Sequence, residues 1–138
     1  MRFMIIVRSD EEDERGCEPT EEDFLRMGRY NDELLKAGAL LAMEGLRPSA
    51  DGARITFGGE TPVVTDGPFA EAKELIAGFW LIQARSRDEA IEWARRIPFT
   101  RGEVEVRPAF EWEDFGAAGT PEVRAMEERQ RAALANAA

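Results

Sequence analysis

Ala77-Gly78-Phe79-Trp80-Leu81-Ile82-Gln83-Ala84 places Phe79 and Leu81 on one side of an extended chain and Trp80 and Ile82 on the other. Side chains alternate across a strand, so a strand made from this run is apolar on both faces. The opening run Arg2-Phe3-Met4-Ile5-Ile6-Val7-Arg8 repeats the pattern, with Phe3, Ile5 and Val7 set against Met4 and Ile6. Strands of this kind lie in the middle of a sheet that is covered on both sides. Residues 2–8 and 77–84 are therefore expected to be the two central strands.

The other elements fall around them. Thr20 caps a helix that carries Glu21, Glu22 and Asp23 in its first turn, where the positive end of the helix dipole favours acids, and Gly38 closes it. Phe24, Met27, Gly28, Asn31, Leu34 and Leu35 share one face of it, and Gly28 suggests close approach to the sheet. A strand over 39–46 leads through Arg47-Pro48 to a hairpin arm of 53–57 and 62–65, turned by Gly58-Gly59. After 77–84, Ser86 and Glu89 read as a capping box ahead of the stripe Ala90, Trp93, Ala94, Ile97, and Pro98 ends that helix. A last strand over 103–110 alternates Val104 and Val106 with Glu103, Glu105 and Arg107.

The order is βαββαβ, a ferredoxin-like α+β fold with an extra hairpin arm. Right-handed crossovers put both helices on one face of the sheet. The apolar residues on the opposite face then have no cover within one chain, and a second sheet from an identical chain is the expected cover, giving a homodimer. Gly116–Pro121 reads as a linker, and a helix over 122–135, capped by Thr120, either frays or docks.

The chain of 138 residues suits one domain. Its formal charge of −10 is uneven. Residues 9–23 hold nine acids against Arg15, residues 111–138 hold six acids and three arginines, and the rest holds 13 acids and 14 bases. The acidic run reads as a solvated loop, and with no basic stripe neither direct nucleic-acid binding nor a membrane surface is expected. The N-terminus lacks the pattern of a signal peptide, which suggests a cytoplasmic protein. Cys17 is the single cysteine and reads as a loop residue.

No histidine is present, and with one cysteine no metal site or cofactor is expected. Catalysis, if any, falls to carboxylates, Arg, Tyr30 or the two lysines, Lys36 and Lys73. Asp66-Gly67-Pro68-Phe69 with Glu71, Lys73 and Glu74 has two readings. In one, Asp66 accepts the Phe69 amide and caps a helical turn over 70–76. In the other, Asp66 and Lys73 are an acid/base pair at the mouth of a cavity between sheets, with Glu44, Phe69, Glu71, Glu74, Glu105 and Arg107 as binding residues and Arg107 as an anion clamp. Outward charges on an edge strand are the plainer account of Glu105 and Arg107. Trp80 and Trp93 read as core, Asn31 as packing and Tyr30 as surface.

Glu44-Gly-Leu-Arg-Pro48, Thr65-Asp-Gly-Pro-Phe-Ala-Glu-Ala-Lys-Glu74, Gly78-Phe-Trp-Leu-Ile82, Asp88-Glu-Ala-Ile-Glu-Trp-Ala94 and Val104-Glu-Val-Arg-Pro108 together resemble the DGPF branch of the YCII-related proteins, small bacterial domains of unsettled activity. The likeness covers residues 1–115, leaving 116–138 as a tail. It implies a dimeric α+β barrel. It also implies association with sigma-factor transcription systems, so a regulatory protein-interaction module competes with a dimer that binds a small polar or anionic molecule. Ala72 stands where the family motif usually has Thr. The histidine that wider YCII-like members carry on the first helix is absent.

Overall fold

Alternation along β1 (Arg2–Arg8) and β5 (Ile76–Gln83) decides which side of the sheet is the core. In the computed structural model, which describes residues 1–16, 18–70 and 75–137, Phe3, Ile5, Trp80 and Ile82 are buried on one side. Met4, Ile6, Phe79 and Leu81 are half-buried on the other. Cys17, Glu71, Lys73 and Glu74 lie outside the described residues.

The four-stranded sheet has the order β2-β5-β1-β6, with β2 at Leu40–Gly45 and β6 at Val104–Pro108, and every pairing is antiparallel. Helices α2 (Glu21–Lys36) and α3 (Arg87–Arg95) cover one face, the ferredoxin-like α+β arrangement. Tyr30 and Leu34 from α2 and Ala90 and Trp93 from α3 close the core over β1 and β5. Full burial of Ile5, Leu34 and Ile82 stabilises by about 1.5–3 kcal/mol each.

Register makes the opposite face explicit. Glu44, Phe79, Ile6 and Glu105 form one row across the sheet, and Ala42, Leu81, Met4 and Arg107 form the next. The centre of each row is apolar and its ends are polar or small.

Several elements depart from what the pattern suggests. Within the acidic run, residues Glu11–Glu14 form a short helix α1, because Asp10 accepts the Asp13 amide at 2.8 Å and Asp13 returns the bond to the Asp10 amide at 3.2 Å. Gly28 does not mark a close approach, since a Cβ there would meet nothing within 4 Å. At α3, Ser86 accepts the Glu89 amide, but the Glu89 carboxylate turns to the Arg85 amide and Nε, so the expected box does not close. Ile76 begins β5 rather than ending a helical turn.

β3 (Ala53–Thr56) and β4 (Val63–Asp66) pair with each other as a separate two-stranded sheet, the expected arm. The chain divides into two compact units, Met1–Pro108 and Ala109–Ala138. In the second, a 3-10 segment, Trp112–Ala118, kinked where Gly116 takes a φ of 60°, takes in the first three residues of the Gly116–Pro121 stretch expected as a linker. Helix α4 (Pro121–Asn136) follows, and Arg124 lies 5.3 Å over the Trp112 ring.

Candidate functional site

A row of small side chains opens the site. On the helix-covered face, Gly45, Gly78 and Val7 lie side by side across β2, β5 and β1. A Cβ on Gly78 would sit 2.6 Å from the Glu44 carbonyl oxygen, so the strand spacing there tolerates only glycine. Two glycines in neighbouring strands leave unfilled space under α2, and a cleft of about 1060 Å³ occupies it.

The adjoining row supplies the floor. Trp80 lies between Met43 and Ile5, and its indole Nε1–H donates to the Asn31 Oδ1 at 2.9 Å. An indole nitrogen can only donate, so the Asn31 carbonyl oxygen must face it and the Asn31 amide hydrogens are left for the cleft. Tyr30 meets Trp80 edge-on at 5.7 Å and Phe99 lies 6.3 Å from it. Phe24 and Met27 of α2 add an apolar wall. Phe24 is mostly exposed although it shares the helix's apolar stripe, because it stands over this opening rather than over the sheet.

Tyr30 is not a surface residue. It is buried, its hydroxyl donates to the Trp93 carbonyl at 2.7 Å, and burial, reinforced by Glu33 and opposed by Arg96, pushes its pKa up to about 12. It is therefore a neutral structural phenol at physiological pH.

Charge sits at the rim. Arg8, Arg26 and Arg101 stand against Asp13, Glu18, Asp23, Glu44 and Glu103. Arg101 bonds Asp13 at 2.8 Å and Asp10 at 2.9 Å, which raises its pKa above the usual arginine value. Arg26 lies 3.6 Å from Glu22 and 3.8 Å from Asp23. The Asp13 amide bonded to Asp10, more than the Arg101 charge, holds the Asp10 carboxyl below its ordinary value. Bonds from Thr20 do the same for Asp23.

A profile for the YCII-related domain matches residues 1–113. An uncharacterized protein of Rhizobium meliloti (strain 1021), R00369, is 38% identical over 104 residues, covering 72% of this chain and 77% of that protein. This chain belongs to the YCII-related domain family. Among solved structures, 5-chloro-2-hydroxyhydroquinone dehydrochlorinase (TftG) from Burkholderia phenoliruptrix AC1100, in complex with 2,5-dihydroxybenzoquinone, is similar at 16% identity and a TM-score of 0.44. The match covers 80% of this chain and 95% of that one.

In this YCII-related domain the residues expected to form a site are spread out. Asp66 ends β4 and is exposed. It does not cap the Phe69 amide, which donates instead to Ser49 Oγ at 3.2 Å. Ser49 gives both its amide and its hydroxyl to the Glu14 carboxylate, each at 2.5 Å. Phe69 lies half-buried with the Arg54 guanidinium 4.0 Å over its ring. Gly67 donates to the Gly52 carbonyl at 3.0 Å, and a Cβ on it would fall 1.8 Å from the Ser49 carbonyl oxygen. The Asp-Gly-Pro-Phe stretch is thus the fastening of the hairpin base.

Glu105 and Arg107 come together at 3.5 Å on the face away from the helices. Glu44 shares that face at the opposite edge, three strand spacings or roughly 14 Å away. Its position at the end of β2 also places it on the cleft rim. Sequence reasoning missed the Gly45–Gly78 juxtaposition, the Asn31–Trp80 bond and the Glu14–Ser49 tie. Only the first had a signal, a glycine in each of two strands that pair.

Among the described residues no helix is long and apolar enough to cross a membrane.

Proposed function

We propose that this YCII-related domain, of the DGPF branch, is a cytoplasmic homodimer that binds a small, uncharged polar molecule in the cleft beneath α2. The observation that carries the reading is the Asn31 carboxamide, whose oxygen is committed to Trp80, leaving a hydrogen-bond donor over a floor of Trp80, Met43 and Phe99. A concave apolar surface with one fixed polar group is the usual build of a small-molecule site. Of the polar and anionic ligands considered from sequence, the rim favours the uncharged class. Its carboxylates outnumber its guanidiniums. In this reading Glu105 and Arg107 neutralise each other in the dimer interface rather than clamp an anion.

The test is a thermal-shift and tryptophan-quenching screen of uncharged aromatic carbonyl compounds against their carboxylate counterparts. Neutral compounds are expected to stabilise wild type and to lose that effect in Gly45→Leu, which fills the opening. Hits confined to carboxylates, or equal stabilisation of both proteins, would overturn the proposal.

A further inference from the structure

The hairpin arm has two unlike faces. Because Ile55 lies opposite Val64 and Arg54 opposite Thr65, alternation puts Ala53, Ile55, Val64 and, at the base of the arm, Asp66 on one face, with Phe57 continuing it, and Arg54, Thr56, Val63 and Thr65 on the other. The Arg54 face turns toward Phe69. The face turned away exposes Ile55 at 57%, Val64 at 64% and Phe57 at 75%.

A two-stranded hairpin is marginal in water by itself. This one is fastened at its base by the Gly67–Gly52 and Phe69–Ser49 bonds, with Ser49 held in turn by Glu14. The fastening fixes where the apolar face points and leaves that face without cover, which suits a surface made to meet another molecule.

Area identifies the occupant. Four strands about 4.8 Å apart and about five residues long at 3.4 Å each give the sheet face away from the helices roughly 320 Å² of projected area. A stable pair of proteins commits about 800 Å² of accessible surface from each partner, so any further contact beside the sheet adds usefully to this projection. The arm, four residues in each strand, adds roughly 130 Å² and covers an equal patch on the chain it meets. In a two-fold pair each chain then commits roughly 580 Å² of projection, and accessible area exceeds projection because side chains stand out of the plane.

We infer that the Ile55–Phe57–Val64 face of the arm clasps a second copy of this chain, completing an interface whose centre is the sheet face away from the helices. The inference rests on the homodimer proposed above and assigns the arm a part in it. The Asp-Gly-Pro-Phe stretch then serves assembly by anchoring the arm.

The experiment measures the dimer dissociation constant of the full chain by sedimentation equilibrium for wild type, Ile55→Ser, Val64→Ser and Val63→Ser. Val63 has the same chemistry and 57% exposure but lies on the opposite face. Ile55→Ser and Val64→Ser are expected to weaken the dimer at least tenfold while Val63→Ser changes it less than twofold, with circular dichroism showing every variant folded. Equal effects from all three, or none, overturn the clasp while leaving the sheet-centred dimer standing. A wild type that stays at 15.5 kDa at tens of micromolar overturns both. If an arm variant fails to fold, the milder Ile55→Thr and Val64→Thr, which keep β-branching, replace it under the same criteria.

Discussion

Asn31 and Trp80 are joined across the helix–sheet interface by a 2.9 Å hydrogen bond that fixes both the indole and the carboxamide. The bond ties the middle of α2 to the centre of β5 and sets the polar group of the cleft. Its strength is measurable without any ligand. A double-mutant cycle of Asn31→Leu and Trp80→Phe, followed by urea denaturation, is expected to give a coupling energy of about 1 kcal/mol. A coupling of zero would mean that water replaces either partner freely.

Gly28 and Gly78 should respond to alanine with opposite signs. In α2 a Cβ at Gly28 meets nothing within 4 Å, so Gly28→Ala gains helix propensity and stabilises by about 0.5–1 kcal/mol. At Gly78 the same atom would press on the Glu44 carbonyl oxygen and the Gly45 Cα, forcing β2 away from β5. Gly78→Ala is expected to destabilise by about 1–3 kcal/mol. Chemical denaturation of the two variants beside wild type checks both signs.

Tyr30 makes a prediction for alkaline pH. Its pKa is raised from 10.0 to about 12 because burial disfavours the phenolate. A raised value means that the stabilisation is complete below pH 10 and is lost as pH climbs through about 12. Tyr30→Phe removes the bond to the Trp93 carbonyl, costing about 1 kcal/mol at neutral pH. It should also flatten the fall in stability between pH 10 and 12. A variant as alkali-sensitive as wild type would place the responsible group elsewhere.

What could be read in the sequence was what periodicity governs. Phe3, Ile5, Trp80 and Ile82 declared their faces through alternation, and the two crossover helices followed from Thr20, Ser86 and the stripes behind them. Tyr30 was misassigned because the stripe through Leu34 and Leu35 reads one position too far round the helix, while Leu35 is exposed and Tyr30 buried. The Asp66 cap failed for a different reason. Its competitor for the Phe69 amide, Ser49, is 20 residues away in sequence, and no local pattern announces it. The cleft was hidden likewise, since register between β2 and β5, including the shift between Leu40 and Ala42, decides that Gly45 meets Gly78.

The acidic segment gives the last prediction, at low pH. Asp10 holds the Asp13 amide and the Arg101 guanidinium, and these keep its pKa below the ordinary 3.8. A depressed carboxylate contributes stability that is complete above its unfolded value and is lost as pH falls through the folded one. Between pH 5 and 3, α1 should therefore loosen before the core does. Glu14 lies on α1 and holds Ser49, which holds Phe69, so that loosening should reach the base of the arm. Amide exchange compared at pH 5 and pH 3, corrected for the intrinsic rates, is expected to show protection lost first at Asp13, Ser49 and Phe69 and last at Ile82. In Asp10→Asn the difference between the two pH values at those three amides should shrink, because the group that titrates is gone. Unchanged protection at Phe69 when Asp13 opens would show that the arm is fastened independently of the acidic segment.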